Sequence, residues 1–220
     1  MTLVFASNNA HKLEEVRSIM PDFVTVLSLS DIGFNAEIEE TGTTLEENSA
    51  IKAEAVYHWI KSSNRQSSNR QSSNRQSSNR QSSNRQSSNR QSISGVFADD
   101  TGLEIDALGG KPGVYTARWA GEPAANRKKA LSELAGKCDR GAQFRTVITL
   151  IKANGERLAV SGIVRGRIAE EEYGVGGFGY DPVFIPEGYD KTFGELPAEV
   201  KNSISHRSRA LAALVDVLKR

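Results

Sequence analysis

Thr2-Leu3-Val4-Phe5-Ala6-Ser7-Asn8-Asn9-Ala10-His11-Lys12 changes character part-way along. Thr2–Ala6 is a short apolar run of the length of a buried strand. Ser7-Asn8-Asn9 supplies the polar side chains of a turn that starts a helix. Behind it, over residues 10–20, Leu13, Val16, Ile19 and Met20 recur at helical spacing. This is a strand–turn–helix unit, and the alternation continues. Val24–Leu27 reads as a second strand. Thr43 or Thr44, followed by Glu46 and Glu47, resembles a capping box opening a helix to about Trp59. Gly95–Ala98 reads as a strand ending at Asp99-Asp100, with extended chain over Leu103–Ala107 beyond a Thr101-Gly102 turn. Residues 124–136 read as helix. Phe144–Lys152 and Glu156–Arg167 form a hairpin around Asn154-Gly155. A glycine-rich loop over Gly174–Gly179 precedes a short strand at Asp181–Ile185. Residues 197–220 read mostly as helix, with Leu211, Leu214, Val215 and Leu218 as its buried stripe. The class is therefore α/β, a mixed twisted sheet with flanking helices.

A length of 220 residues suits one domain spanning residues 1–220. No run approaches the roughly 20 apolar residues of a spanning helix, which argues against a membrane protein. Met1–Ala6 leads straight into a strand without a basic segment or cleavage site. Cys138 is the only cysteine, so neither a disulfide framework nor a zinc cluster is expected. These features point to the cytoplasm. A net charge of +1 gives no global attraction to nucleic acid, so any affinity for a polyanion must be local.

Residues 62–91 are six identical copies of Ser-Ser-Asn-Arg-Gln. They contain no apolar residue to offset the entropy of ordering, and the unit is too short for a solenoid. The expectation is a disordered surface loop, expanded in tandem where insertion costs little. The alternative, an arginine-bearing nucleic-acid binder, lacks aromatic residues for stacking.

Five segments carry side chains suited to chemistry. Ser7–Lys12 places a helix N-terminus and a lysine where an anion could bind, although a plain capped helix reads the same way. It lacks the Gly-Lys-Ser/Thr of a Walker A loop. Glu39-Glu40-Thr41-Gly42 precedes a helix on which Asn48 and Lys52 share a face, and its carboxylates could hold a hard cation. They could equally be an acidic first turn. Asp99-Asp100-Thr101 ends an apolar strand, where α/β sheets place ligands. A divalent cation would relieve the repulsion of adjacent carboxylates. Gly176-Gly177-Phe178-Gly179-Tyr180-Asp181 offers an aromatic face to a flat ligand, or a glycine-rich corner with core aromatics. Lys201 precedes Ser205-His206-Arg207, where Ser205 can cap the last helix. The two cations in its first turn oppose the helix dipole unless an anion or carbonyl meets them.

Taken in order, these segments resemble the inosine triphosphate pyrophosphatase family, the noncanonical purine nucleoside triphosphate pyrophosphatases. Gly109-Gly110-Lys111-Pro112-Gly113-Val114-Tyr115-Thr116-Ala117-Arg118 and Gly177–Phe184 extend the match over almost the whole chain outside the repeat. Ser7 and Thr101 stand where the family often has threonine and serine, and both keep a hydroxyl. The resemblance implies two lobes around a nucleotide-binding cleft, a homodimer, and Mg²⁺-dependent release of pyrophosphate from ITP, dITP or XTP. By position, Ser7, Asn8, Asn9, Ala10, His11 and Lys12 would hold the triphosphate. Glu40, or its neighbour Glu39, would bind Mg²⁺ with Asp100, which would also accept the proton of water. Thr101 and Lys201 would contact the nucleotide. Phe178, Gly179, Tyr180 and Asp181 would frame the base, and His206 and Arg207 would reach it. Arg207 has only donors, matching the C6 oxygen of hypoxanthine and xanthine and not the amino group of adenine. Rejecting guanine would require the pocket to exclude its 2-amino group. A related septum-inhibitor-like pyrophosphatase, of similar fold and acting on other nucleotides, is argued against by the His206-Arg207 and Phe178–Asp181 motifs. A haloacid-type phosphatase would need an Asp-x-Asp spacing that Asp99-Asp100 lacks.

Overall fold

A computed structural model of the chain describes residues 1–73 and 92–219. Seven strands form one sheet: β1 (Thr2–Phe5), β2 (Thr25–Leu27), β3 (Ile93–Ile105), β4 (Lys111–Gly113), β5 (Gly141–Lys152), β6 (Arg157–Ile168) and β7 (Phe184–Pro186). Their order is β2-β1-β3-β5-β6-β7, with β4 paired to β3 off this path. β1 runs parallel to β2 and β3, and all the other pairings are antiparallel. The helices are α1 (Ala10–Ile19), α2 (Leu45–Ser73), α3 (Pro123–Glu133), α4 (Ala198–Ile204) and α5 (His206–Leu218). The class is mixed α/β, as the alternation of elements predicts. Among the described residues no helix is long and apolar enough to cross a membrane.

Strand alternation divides the core. Leu3, Phe5 and Phe97 pack with Val16 of α1 and with Ala210, Leu211 and Leu214 of α5. Val4, Ala6, Val96 and Ala98 point the other way, onto Ala53 and Val56 of α2. A third cluster gathers Leu103, Ile105, Phe144, Val164 and Phe184 with Ala130 of α3 and Leu134 at its C-cap. β3 thus enters one apolar body at Val96–Ala98 and another at Leu103–Ile105, with Asp99-Asp100-Thr101 between them.

That arrangement corrects the expected strand end. β3 does not turn at Thr101-Gly102 but pairs with β5 without a break from Gly95 to Ile105. The polar interruption marks the passage between two cores, where side chains need not be apolar. Gly102 is extended chain and not a turn residue: a Cβ there would lie 3.0 Å from the Gly113 carbonyl oxygen of the neighbouring segment.

Helix starts follow the expected polar signals. Asn9 caps α1, its Oδ1 accepting from the Lys12 N–H at 3.1 Å. The capping box is reciprocal: Glu47 N–H donates to Thr44 Oγ1 at 3.1 Å, and Thr44 N–H to Glu47 Oε2 at 3.2 Å. α2 runs past Trp59 to Ser73, so the repeat begins as helix. Addition of residues to an existing helix avoids the cost of nucleation, and Arg and Gln are good helix formers. The rest of the expected loop lies outside the described residues. The predicted strand at Asp181–Ile185 begins instead as a 3₁₀ turn over Asp181–Val183, with Pro182 inside it. The predicted C-terminal helix is two helices, broken at Ser205, whose side chain caps α5 by accepting from Ser208 N–H.

α5 lies directly on β6 at Gly162. A Cβ there would fall 2.2 Å from the His206 carbonyl oxygen and 2.3 Å from Ala210 N. This close approach sets the position of the first turn of α5. Gly162→Ala is expected to lower the unfolding free energy by about 1–3 kcal/mol, read from urea denaturation.

Candidate active site

Alternation along β3 sends its two aspartates to opposite faces of the sheet, so they do not form one carboxylate pair. Asp99 follows Phe97 onto the side of α1 and α5. Its Oδ1 accepts from Lys12 Nζ at 3.0 Å and its Oδ2 from Arg207 Nε at 3.1 Å. Burial alone would raise the Asp99 pKa, but Lys12, Arg207 and Lys52 hold it well below the usual carboxylate range. Asp100 follows Ala98 onto the side of α2. Lys52 Nζ lies 3.2 Å from Asp100 Oδ1 and 2.7 Å from Glu40 Oε1, bridging the two carboxylates. Burial raises the pKa of Asp100 against the pull of Lys52 and Lys12. Lys52 is itself raised: burial opposes its charge, and Asp100, Asp99 and Glu40 outweigh that.

The loop carrying Glu40 is held by α2. Gly42 N–H donates to Oδ1 of buried Asn48 at 2.8 Å, and a Cβ on Gly42 would meet that oxygen at 2.7 Å. Arg118 reaches the same loop, with Nη1 3.7 Å from Glu40 Oε2.

The other end of the site is aromatic and cationic. Asp181 Oδ2 accepts from Phe178 N–H at 2.6 Å and from Lys201 Nζ at 2.7 Å. Lys201 also donates to Glu15 Oε1 at 2.7 Å, and the second Glu15 oxygen pairs with Arg207 Nη1. Lys201 Nζ lies 4.7 Å from the centre of the Phe178 ring, and the Arg207 guanidinium 5.6 Å from it. Phe178 also stacks with His11 at 5.6 Å. His206 is buried and stacks on Phe144 at 4.6 Å, with its Nδ1 making no hydrogen bond. Burial, then Arg207 and Lys201, push its pKa well below 6.5, so the ring is neutral at neutral pH.

Most of these groups line one cavity of about 710 Å³, and Asp99 and Glu15 do not. Of the residues expected at the site, Ala10 does not line it, being exposed at the start of α1. Glu40 lines it and Glu39 does not. Arg207 Nε and Nη1 are taken by Asp99 and Glu15. Nη2 has only a 3.5 Å contact with Thr101 Oγ1 and keeps a donor for a ligand. Arg118, Arg127, Thr116 and Asn126 also line the cavity without having been singled out. Glu15 was missed as well. Its only sequence signal is its place one helical turn beyond Lys12.

Glu40 and Asp100 fit a hard divalent cation. Asp100 Oδ2 is buried and accepts no hydrogen bond from the described residues, and Glu40 presents a second carboxylate to the same cavity. Mg²⁺ is commonly held by one or two carboxylates, with water and phosphate oxygens completing its octahedron. Among the described residues no three His, Cys, Asp or Glu side chains converge into a ready-made cage.

The Ham1 family model matches residues 3–217. The chain belongs to the Ham1 family. A relative from Flavobacterium johnsoniae named dITP/XTP pyrophosphatase is 42% identical, over 99% of this chain and 98% of its own. A relative of the same name from Bacillus subtilis is 43% identical, over 98% and 96%. The solved structure of the Staphylococcus aureus Ham1 protein superposes with a TM-score of 0.77 at 36% identity, covering 100% of this chain and 98% of that one. The family assignment bears out the resemblance carried by the sequence motifs.

Two outcomes follow from the electrostatics of this Ham1 site. Asp99→Asn leaves Lys12 and Arg207 without their shared partner, and is expected to cost about 3–5 kcal/mol in a denaturation experiment. The His206 ring proton signals are expected to stay constant from about pH 8 to about pH 6 in NMR titration. Unfolded chains protonate histidine near 6.5 while this buried ring does not, so His206 lowers stability as pH falls below that value.

Proposed function

We propose that this protein is an Mg²⁺-dependent nucleoside triphosphate pyrophosphatase. Its substrates are dITP, XTP and ITP, cleaved to the monophosphate and pyrophosphate, which clears noncanonical purines from the nucleotide pool. One observation carries the reading: a single cavity has lysines and unsatisfied carboxylate oxygen at one end and an aromatic, hydrogen-bonding wall at the other. The names of the relatives, dITP/XTP pyrophosphatase, supply the substrate class. In this reading the protein works as a cytoplasmic homodimer, and the repeat over 62–91 is a dispensable insert in a single domain.

The triphosphate lies along Ser7–Lys12, where the start of α1 offers free N–H groups and Lys12 a charge. Glu40 and Asp100 would hold Mg²⁺, which when bound offsets phosphate charge and helps orient the nucleophilic water. Asp100 accepts a proton from that water as its oxygen bonds to the α-phosphorus. The bond to the β-phosphate oxygen breaks, and pyrophosphate leaves with the charge balanced by Lys12 and Lys52. Phe178 stacks on the base, taking the face that His11 covers in the free protein. Arg207 Nη2 donates to the C6 oxygen, and adenine, with an amino group there, leaves that donor unpaired. Thr101, Lys201 and His206 contact the nucleotide, while Gly179, Tyr180 and Asp181 frame the base.

The test is product identification from ITP, XTP, GTP and ATP, with Mg²⁺ and with EDTA. Monophosphate and pyrophosphate from ITP and XTP are expected, with little turnover of ATP or GTP and none in EDTA. Asp100→Asn should lower kcat by roughly 10²–10⁴-fold. A variant lacking residues 67–91 should keep its activity. Inorganic phosphate with the diphosphate as products would overturn the assignment of the cleaved bond.

A further inference from the structure

Arg127 projects from the first turns of α3 into the wall of the cavity, and its side chain is largely buried. Its Nη1 donates to the carbonyl oxygen of Gly179 at 2.9 Å, and its Nε lies 2.9 Å from Glu172 Oε2 in an ion pair that lacks hydrogen-bond alignment. These two partners are the shoulders of the glycine-rich loop that presents Phe178. One side chain from a separate element therefore grips both ends of that loop.

The loop needs such a grip. Residues 170–177 are exposed, and Gly174, Gly177 and Gly179 have φ values of +78°, +70° and +62°, a region that costs glycine little. Phe178 stacks on His11 of α1 and Tyr180 Oη donates to the Thr116 carbonyl oxygen at 3.2 Å, while the backbone anchors of the loop hold its base or its inner edge. Tyr173 N–H donates to Pro182 O and Gly176 N–H to Gly194 O, while Asp181 takes the Phe178 N–H. Each of these lies on the side of the loop's own continuation. Arg127 ties the loop across to α3, on the side where the cavity continues through Asn126 and Thr116.

We infer that Arg127 is a positioning residue for the aromatic platform. It holds the Phe178–Gly179 segment at the distance a purine requires and leaves the phosphate end untouched. Among the described residues Arg127 makes no hydrogen bond or ion pair with Lys12, Lys52 or Asp100, and the loop is linked toward them by the Asp181–Lys201–Glu15 chain and by the contacts of Phe178 with His11 and Arg207. The inference rests on the nucleotide reading of the site, and it divides affinity between base and phosphates. Losing a charge-assisted contact of this kind is expected to cost about tenfold in affinity for the group it positions.

The experiment compares the full-length protein with Arg127→Met, which keeps most of the side chain's length, and with Arg127→Lys. Three quantities are read: KM and kcat for ITP, inhibition by tripolyphosphate, and hydrogen exchange of the 176–180 amides without any ligand. Arg127→Met is expected to raise KM about tenfold with kcat within about twofold. Tripolyphosphate inhibition should stay unchanged and the loop amides should exchange faster, with Arg127→Lys in between. An unchanged KM with unchanged exchange overturns the inference. So does an equal loss of affinity for ITP and tripolyphosphate, which would mean general damage to the site. If the unmodified protein turns over no nucleotide, the functional reading fails. The exchange measurement then decides the loop assignment by itself: faster exchange in Arg127→Met supports it, and unchanged exchange overturns it.

Discussion

The ion pairs of Asp99 are the constraint on which the rest of this site depends. A buried carboxylate is tolerable only with compensating charge, and here the two cations come from different helices, Lys12 on α1 and Arg207 on α5. Asp99 therefore ties both helices to β3 at the one point where the strand leaves one apolar core for the next. Arg207 passes the constraint to Glu15, Glu15 to Lys201, Lys201 to Asp181, and Asp181 to the backbone of Phe178. The phosphate-facing end and the aromatic wall are joined by an unbroken chain of charged contacts. Removal of an interior member leaves its neighbours buried and unpaired, so the members should couple strongly.

The same strand separates structure from chemistry. Since side chains alternate, a single step along β3 converts a saturated carboxylate into one with a free oxygen. Asp99 uses both oxygens on cations, whereas Asp100 shares Lys52 with Glu40 and keeps Oδ2 open. Two adjacent residues of one type thereby acquire different work from backbone geometry alone.

How much of this was readable in the sequence depends on the range of the interaction. Local signals were clear. Asn9, the Thr44–Glu47 box, the Asn154-Gly155 turn and the Ser205 cap all act within a few residues and stand where their chemistry predicts. The ordered motifs located much of the cavity wall, because most of them sit at a loop or helix start that faces it. The continuation of β3 through Asp99-Asp100 was not readable, since polarity in mid-strand looks like a strand end until the second core is known. Nor were Glu15 and Arg127, whose partners lie more than forty residues away in the chain. The extension of α2 into the repeat was hidden for another reason: composition describes whether a segment folds alone, not whether an existing helix carries it.

Charge balance in the cavity explains why a polyphosphate ligand would not enter alone. Lys12, Lys52, Lys201 and Arg207 are each already engaged by a carboxylate. A triphosphate approaching Lys12 and Lys52 meets the fields of Asp99, Asp100 and Glu40 as well, and in a partly desolvated site those repulsions are weakly screened. Lysines alone would have to break existing ion pairs to bind it, leaving the carboxylates behind unpaired. In the proposed reading, Asp100 and Glu40 would hold a divalent cation whose charge would ease that conflict and free Lys52 to meet the ligand. Lys52 is the counterion of the free site, and in that reading the open oxygen of Asp100 would be available to the cation.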